Sequence, residues 1–144
     1  MNTKISTYIC FLISALFCAS ATLLGPMLSS IAQEFTLTLS TAGILFASNS
    51  LGFVTFILPG SFLADRFGKK IIMLLSLVGL TIALLLIPIS KNFVLTASII
   101  FFSGGFGGIL QSLTNILITD LNTENPQYYM SLSQAFCAIG AFVT

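Results

Sequence analysis

Apolar residues run almost unbroken through five stretches: Tyr8 to Leu28, Leu39 to Phe62, Ile71 to Ile89, Phe93 to Thr119, and Met130 to the end. The first four hold about 19 to 27 residues each, and roughly 20 suffice for an α-helix to cross the hydrocarbon of a bilayer. Barrel strands would be about 10 residues long with alternating polarity, so these continuous runs predict helices. The fold class is therefore all-α, a multi-pass transmembrane helix bundle. The fifth run reaches Thr144 after about 15 residues, short of a normal span, and predicts a truncated fifth helix.

Lys4, the apolar Ile9 to Phe17 and the small residues Ala19-Ser20-Ala21 have the layout of a cleavable signal peptide. The apolar run continues past that point to Leu28, which favours an uncleaved first helix.

Composition agrees with lipid as the solvent: 56% of the residues are hydrophobic and 6% charged, against about 25% charged in soluble domains. A net charge of +1 carries no sign of nucleic acid, the five basic residues form no extended patch, and no nucleic-acid partner is expected. There is no His, and Cys10, Cys18 and Cys137 all lie inside apolar runs. They read as small packing hydrophobes, and neither a metal site nor a cofactor is implied. No paired acids and no nucleophile with a base occur within the spans, so an enzyme is not expected.

The charges that do occur are concentrated. Ser61-Phe62-Leu63-Ala64-Asp65-Arg66-Phe67-Gly68-Lys69-Lys70 holds four of the nine Asp, Glu, Lys and Arg residues. It is expected as a short turn between the second and third helices, with Gly68 free to adopt positive φ. Basic residues in short loops set orientation: Lys4, Arg66, Lys69 and Lys70 fall on one side and Lys91 on the other. That distribution places the N-terminus in the cytoplasm, with Glu34 outside and Asp120 and Glu124 inside. The bases are explained by topology alone, but Asp65 is not. Just beyond a helix C-terminus, a carboxylate meets the negative end of the helix dipole, at about 0.3 to 1 kcal/mol.

This stretch resembles the signature loop between helices 2 and 3 of the major facilitator superfamily, whose pattern is Gly-x-Leu-Ala-Asp-Arg-x-Gly-Arg-Lys. Leu63, Ala64, Asp65, Arg66, Gly68, Lys69 and Lys70 match it, apart from Lys69 standing for the usual arginine, and Ser61 takes the place of the first glycine. Lysine loses the planar bidentate fork of arginine, while Ser61 beside Gly60 keeps the position small. The resemblance implies that residues 1–144 are the incomplete N-terminal transmembrane domain of a secondary transporter. Such a carrier works by alternating access between two halves, and Asp65 would steady one access state. It also implies a multi-pass protein of the cell (inner) membrane, carrying a small-molecule solute. The missing C-terminal half, or self-association, would complete it.

Two helices carry polar stripes. Ser14, Cys18, Thr22, Gly25 and Ser29 share one face of helix 1, which suits either close helix packing or a face on the transport cavity, and Gly25-Pro26 predicts a kink. In helix 4, Gly104 and Gly108 have the spacing of a helix-packing face, and Gln111 and Asn115 continue it. Those two amides fit substrate binding or interhelical bonding, as does Asn49 in helix 2. The candidate substrate pathway is thus Thr22, Asn49, Gln111 and Asn115. Residues 107–115, with Tyr129-Met130-Ser131-Leu132 and Ile139-Gly140-Ala141, are also similar to helices 4 and 5 of the fucose permease-like branch of the superfamily. There a glutamate often stands where Gln111 falls, and glutamine cannot titrate, so the likeness implies no proton coupling at this position. The competing reading is a membrane fragment or accessory protein that keeps the motif without transporting.

Overall fold

The computed structural model describes residues 3–34, 39–90 and 92–143. They form α1 (Thr3–Glu34), α2 (Leu39–Phe67), α3 (Lys69–Leu86), a 3-10 turn (Ile87–Ile89), α4 (Phe93–Leu121) and α5 (Pro126–Val143). No strand occurs among the described residues. Among the described residues, four segments are long and apolar enough to cross a membrane: Ser6–Leu23, Gly43–Phe67, Lys69–Ile89 and Phe93–Leu121.

The helices extend beyond the apolar runs that predict them. At 1.5 Å per residue, the 32 residues of α1 outreach a hydrocarbon layer of about 30 Å. A helix need not stop where lipid does, because its backbone bonds close internally in headgroups as well as in hydrocarbon. α1 continues through Pro26 and α2 through Pro59. α3 gives way to the 3-10 turn at Ile87-Pro88-Ile89, since Pro88 has no N–H to continue the α ladder. Asn92 starts α4: its Oδ1 accepts from the Val94 N–H at 3.1 Å, and its carbonyl accepts from Thr96 N at 2.9 Å. α5 begins at Pro126, four residues before its apolar run, where a proline costs no helix hydrogen bond.

The chain divides into two compact units, Met1–Pro26 with Leu113–Thr144, and Met27–Ser112. In the first, Cys10, Phe11 and Ile118 form a buried cluster with Leu117, Tyr129 and Leu132 packed against it. Phe11 stacks on Tyr129 and on Phe136, with ring centroids 6.5 and 5.3 Å apart. Asn122 Nδ2 donates to Thr7 Oγ1 at 3.1 Å, tying the end of α4 to α1. In the second unit, Leu45, Ile100 and Leu110 are buried, and Phe56 packs edge-on to Phe101 and Phe102. Large apolar side chains stand exposed on all five helices, among them Leu12, Leu58, Leu85, Val94 and Phe142. Lipid covers such a surface without penalty.

Exposed hydroxyls in the spans are satisfied locally. Thr22, Ser48, Thr55, Thr81 and Ser98 each donate to the carbonyl four residues back, at 2.6 to 2.9 Å. This is how a hydroxyl faces lipid without an unmet donor.

Candidate functional site

The charged stretch is barely a turn. α2 continues through Phe67 and α3 begins at Lys69, leaving Gly68 alone outside the helices. Its φ of 96° and ψ of 130° lie where only glycine is comfortable. Gly68 N donates to the Ala64 carbonyl at 2.9 Å, closing α2, and the Gly68 carbonyl accepts from Ile71 N at 3.2 Å, opening α3. Asp65, expected just past the end of α2, lies instead within its last turn. Leu63-Ala64-Asp65-Arg66 carries no residue that breaks a helix, and the chain needs one positive-φ residue to reverse.

Placement inside the helices sharpens the electrostatics. Asp65 stands in the C-terminal turn of α2, and Lys69 and Lys70 in the N-terminal turn of α3, so each sits on the end its own helix dipole disfavours. Arg66 is the favourable exception, and its guanidinium lies 5.7 Å from the Phe67 ring centroid. Asp65, Arg66 and Lys70 are exposed, Lys69 and Ser61 half-buried, Leu63 exposed and Ala64 fully buried. Close packing near the start of the motif falls to Gly60, where a Cβ would overlap the Ile109 side chain. Ser61 therefore stands where a larger residue than glycine is accommodated.

Within the second unit, α2 and α4 meet on glycine. A Cβ on Gly104 would overlap the Asn49 carbonyl, one on Gly52 the Phe101 carbonyl, and one on Gly108 would lie 2.8 Å from the Phe53 carbonyl. Gly104 faces Asn49 and Gly108 faces Phe53, so both helices advance four residues together and run parallel. Asn49 spends its amide on this seam, donating to the Ile100 carbonyl at 3.4 Å. Gln111, in the same unit, is half-buried, and its Oε1 is fully buried with no hydrogen-bond partner.

Within the first unit, the helix 1 stripe divides. Ser14 is buried and hydrogen-bonded to Ser133 at 3.1 Å. Cys18 is joined to Cys137 as a disulfide with a Cα separation of 5.3 Å, which corrects the reading of these two cysteines as independent packing hydrophobes. Thr22 is exposed and donates to its own helix at Cys18. Asn115 is half-buried, its carbonyl accepting from Thr119 Oγ1 at 3.0 Å. No hydrogen bond joins Thr22 to Asn115, or Asn49 to Gln111, within their units. The side chains of Lys4, Ser29 and Glu34, and Lys91 as a whole, lie outside the described residues.

Sequence reasoning missed Ser133, Asn122 and Gly52, and it named Gly140 only within a matching run and not as a packing residue. Gly140 approaches α1 so closely that a Cβ would overlap the Ala15 carbonyl. The one available signal was that Ser133 and Cys137 repeat the four-residue step of Ser14 and Cys18.

Four spanning helices among the described residues, parallel pairs sealed by glycine and a one-residue charged junction define a multi-pass α-helical membrane protein. The chain belongs to the Major Facilitator Superfamily, whose family model matches residues 10–144. It is similar to the sodium-dependent glucose transporter 1A of Mus musculus, 27% identical over 124 residues, covering 86% of this chain and 29% of that protein. It is also similar to the sodium-dependent glucose transporter 1 of Homo sapiens, 25% identical over 124 residues, 86% of this chain and 24% of that protein. The chain thus spans under a third of the length of either relative. No solved structure matches it significantly.

Proposed function

We propose that this chain forms the N-terminal part of a secondary transporter that moves a small solute across a cell membrane by alternating access. The observation that carries the reading is the α2–α3 junction. Asp65, Lys69 and Lys70 each oppose the dipole of the helix that holds them, so local helix stability does not account for their placement. Asp65 and Lys70, exposed and held against their own helices, are available to a partner that docks in one access state and leaves in the other. Buried Ala64 and the close contact of Gly60 with Ile109 hold the junction in place while Asp65 stays exposed.

The relatives are named as sodium-dependent glucose transporters, and we take a sugar-like, neutral hydroxylated solute as the reading for this chain. Gln111 supports it: a buried carbonyl oxygen without a donor is suited to accept a hydrogen bond from a solute hydroxyl. No acid lies in the middle of the described spans, so a cationic solute would find no counter-charge there. The N-terminus and the Asp65–Lys70 junction face the cytoplasm of the cell (inner) membrane in this reading, and the protein is a carrier and not an enzyme. Central cavities in such carriers lie between two repeat-built halves. The remaining helices, or a second copy of the chain, supply the other wall.

The test is uptake into sealed vesicles across a panel of sugars, amino acids and cationic drugs. The chain should give no saturable uptake alone and should give sugar uptake when reconstituted with complementing carrier helices. Saturable uptake by the chain alone, abolished by Asp65→Asn, would mean that copies of it assemble a cavity among themselves. No uptake in any combination would favour an accessory role.

A further inference from the structure

We propose that Cys18 and Cys137 form a reversible redox clamp that fixes α1 against α5. The argument starts from register. Ser14 meets Ser133 and Cys18 meets Cys137, each pair 119 residues apart in sequence. One turn along α1 is therefore matched by one turn along α5 in the same direction, so the two helices run parallel and in step. The 5.3 Å between the Cys18 and Cys137 Cα atoms falls within the span that a disulfide bridges without moving the backbone.

The seam around the thiols is complete without the bond. Phe11 stacks on Phe136 with centroids 5.3 Å apart, the Ser14–Ser133 hydrogen bond is buried, and Gly140 admits the Ala15 carbonyl. These contacts hold the register when the thiols are reduced, so Cys18 and Cys137 stay within reach of each other and the bond can re-form. Both are half-buried, whereas Cys10 is buried in the Phe11–Ile118 cluster of the same unit and has no partner thiol. Opening and closing are thus confined to one pair. What the bond adds is covalent restraint: α1 and α5 can no longer slide or part at this level, whatever the rest of the protein does.

Closure is a thiol–disulfide exchange with an external disulfide. The thiolate of one cysteine attacks a sulfur of that disulfide, and one thiol leaves. The thiolate of the second cysteine then attacks the protein sulfur of the mixed disulfide and expels the other thiol. Two electrons pass from the protein to the reagent, and the two protons of the cysteine thiols end on the two departing thiols. A dithiol reductant reverses the sequence.

The experiment uses the full chain in detergent. It is treated with a membrane-permeant aromatic disulfide, then denatured in excess N-ethylmaleimide, and its mass is measured. Of the three cysteines, the clamped chain should carry one adduct, at Cys10, and the chain reduced with a phosphine should carry three. Cys18→Ala and Cys137→Ala should each leave no internal disulfide after the same treatment. A second measurement asks whether the bond restrains the helices: native Cys10 should alkylate several-fold more slowly in the oxidised chain than in the reduced chain, with no mutation in either arm. Three adducts after oxidation would overturn the pairing, and equal Cys10 rates in the two redox states would overturn the clamp.

Discussion

The carbonyl oxygen of Asn49 on α2 occupies the space where a Cβ on Gly104 of α4 would stand. In lipid, apolar side chains gain little by leaving one surface for another, so helices associate through close packing and hydrogen bonds. Gly104 permits that approach at its closest, and the neighbouring Asn49 amide adds a bond to Ile100. Gly104→Ala should therefore destabilise the protein by about 1 to 3 kcal/mol, the usual cost of overpacking, because the obstructing atom belongs to a backbone and cannot rotate away. Gly43→Ala meets nothing within 4 Å and should be neutral or mildly stabilising. Unfolding in mixed detergent micelles measures both, and equal effects would remove the packing argument.

Gly68 presents the opposite case. A Cβ there meets nothing within 4 Å, but the backbone sits at φ 96° and ψ 130°. Gly68→Ala should cost about 1 to 3 kcal/mol through backbone strain alone. Asparagine, which tolerates the left-handed helical region, should rescue little, because a ψ of 130° lies outside that region. A Gly68→Asn protein as stable as the parent would show that the junction relaxes into another turn.

Much of this fold was legible in the sequence because lipid imposes a coarse rule. A long apolar run must be a helix, so the spans could be placed, while their ends could not. Asp65 and Arg66 extend α2 past its apolar run, where hydropathy carries no information on helix termination. The spacing of Gly104 and Gly108 announced a packing face but not its partner, since Asn49 and Phe53 are set by how α2 folds back on α4. Asn49 admitted two roles on paper, and its amide is now seen on the Ile100 carbonyl. The Cys18–Cys137 pair was hidden for a different reason: it exists only once α5 returns beside α1. A four-residue step repeated in both helices is a weak sign of that. Gln111 was legible as a polar residue in a span, and its unmet oxygen was not.

Orientation follows from the basic residues. Arg66, Lys69 and Lys70 should lie in the cytoplasm, and the segment before α4 outside. In a variant lacking the native cysteines, a cysteine at position 68 should be protected from an impermeant maleimide in intact cells. One replacing Asn92, which is exposed at the start of α4, should react. The reverse pattern would invert the topology.

Asp65→Asn separates a conformational role from a binding one. The carboxylate stands at the end of a spanning helix and is exposed, whereas solute sites of such carriers form near mid-membrane. In a complete carrier containing this segment, the substitution should slow transport about tenfold, equivalent to roughly 1.4 kcal/mol on the rate-limiting step. Equilibrium solute binding should stay close to that of the parent. A large loss of binding at unaltered conformational equilibrium would place Asp65 in the solute site instead.

Gln111 should behave in the opposite way. Its Oε1 is buried without a donor, and an unmet buried polar group costs about 1 to 3 kcal/mol. Replacing it with leucine, of similar bulk and no polarity, removes that cost. Gln111→Leu should therefore leave stability unchanged or raise it by up to about 1 kcal/mol, while weakening solute binding in the complete carrier. An interhelical amide would give a different pattern, because losing a satisfied hydrogen bond lowers stability first. Detergent unfolding and equilibrium solute binding, measured on the same variant, distinguish the two: stability kept with binding lost assigns Gln111 to the solute, and stability lost with binding kept assigns it to the bundle.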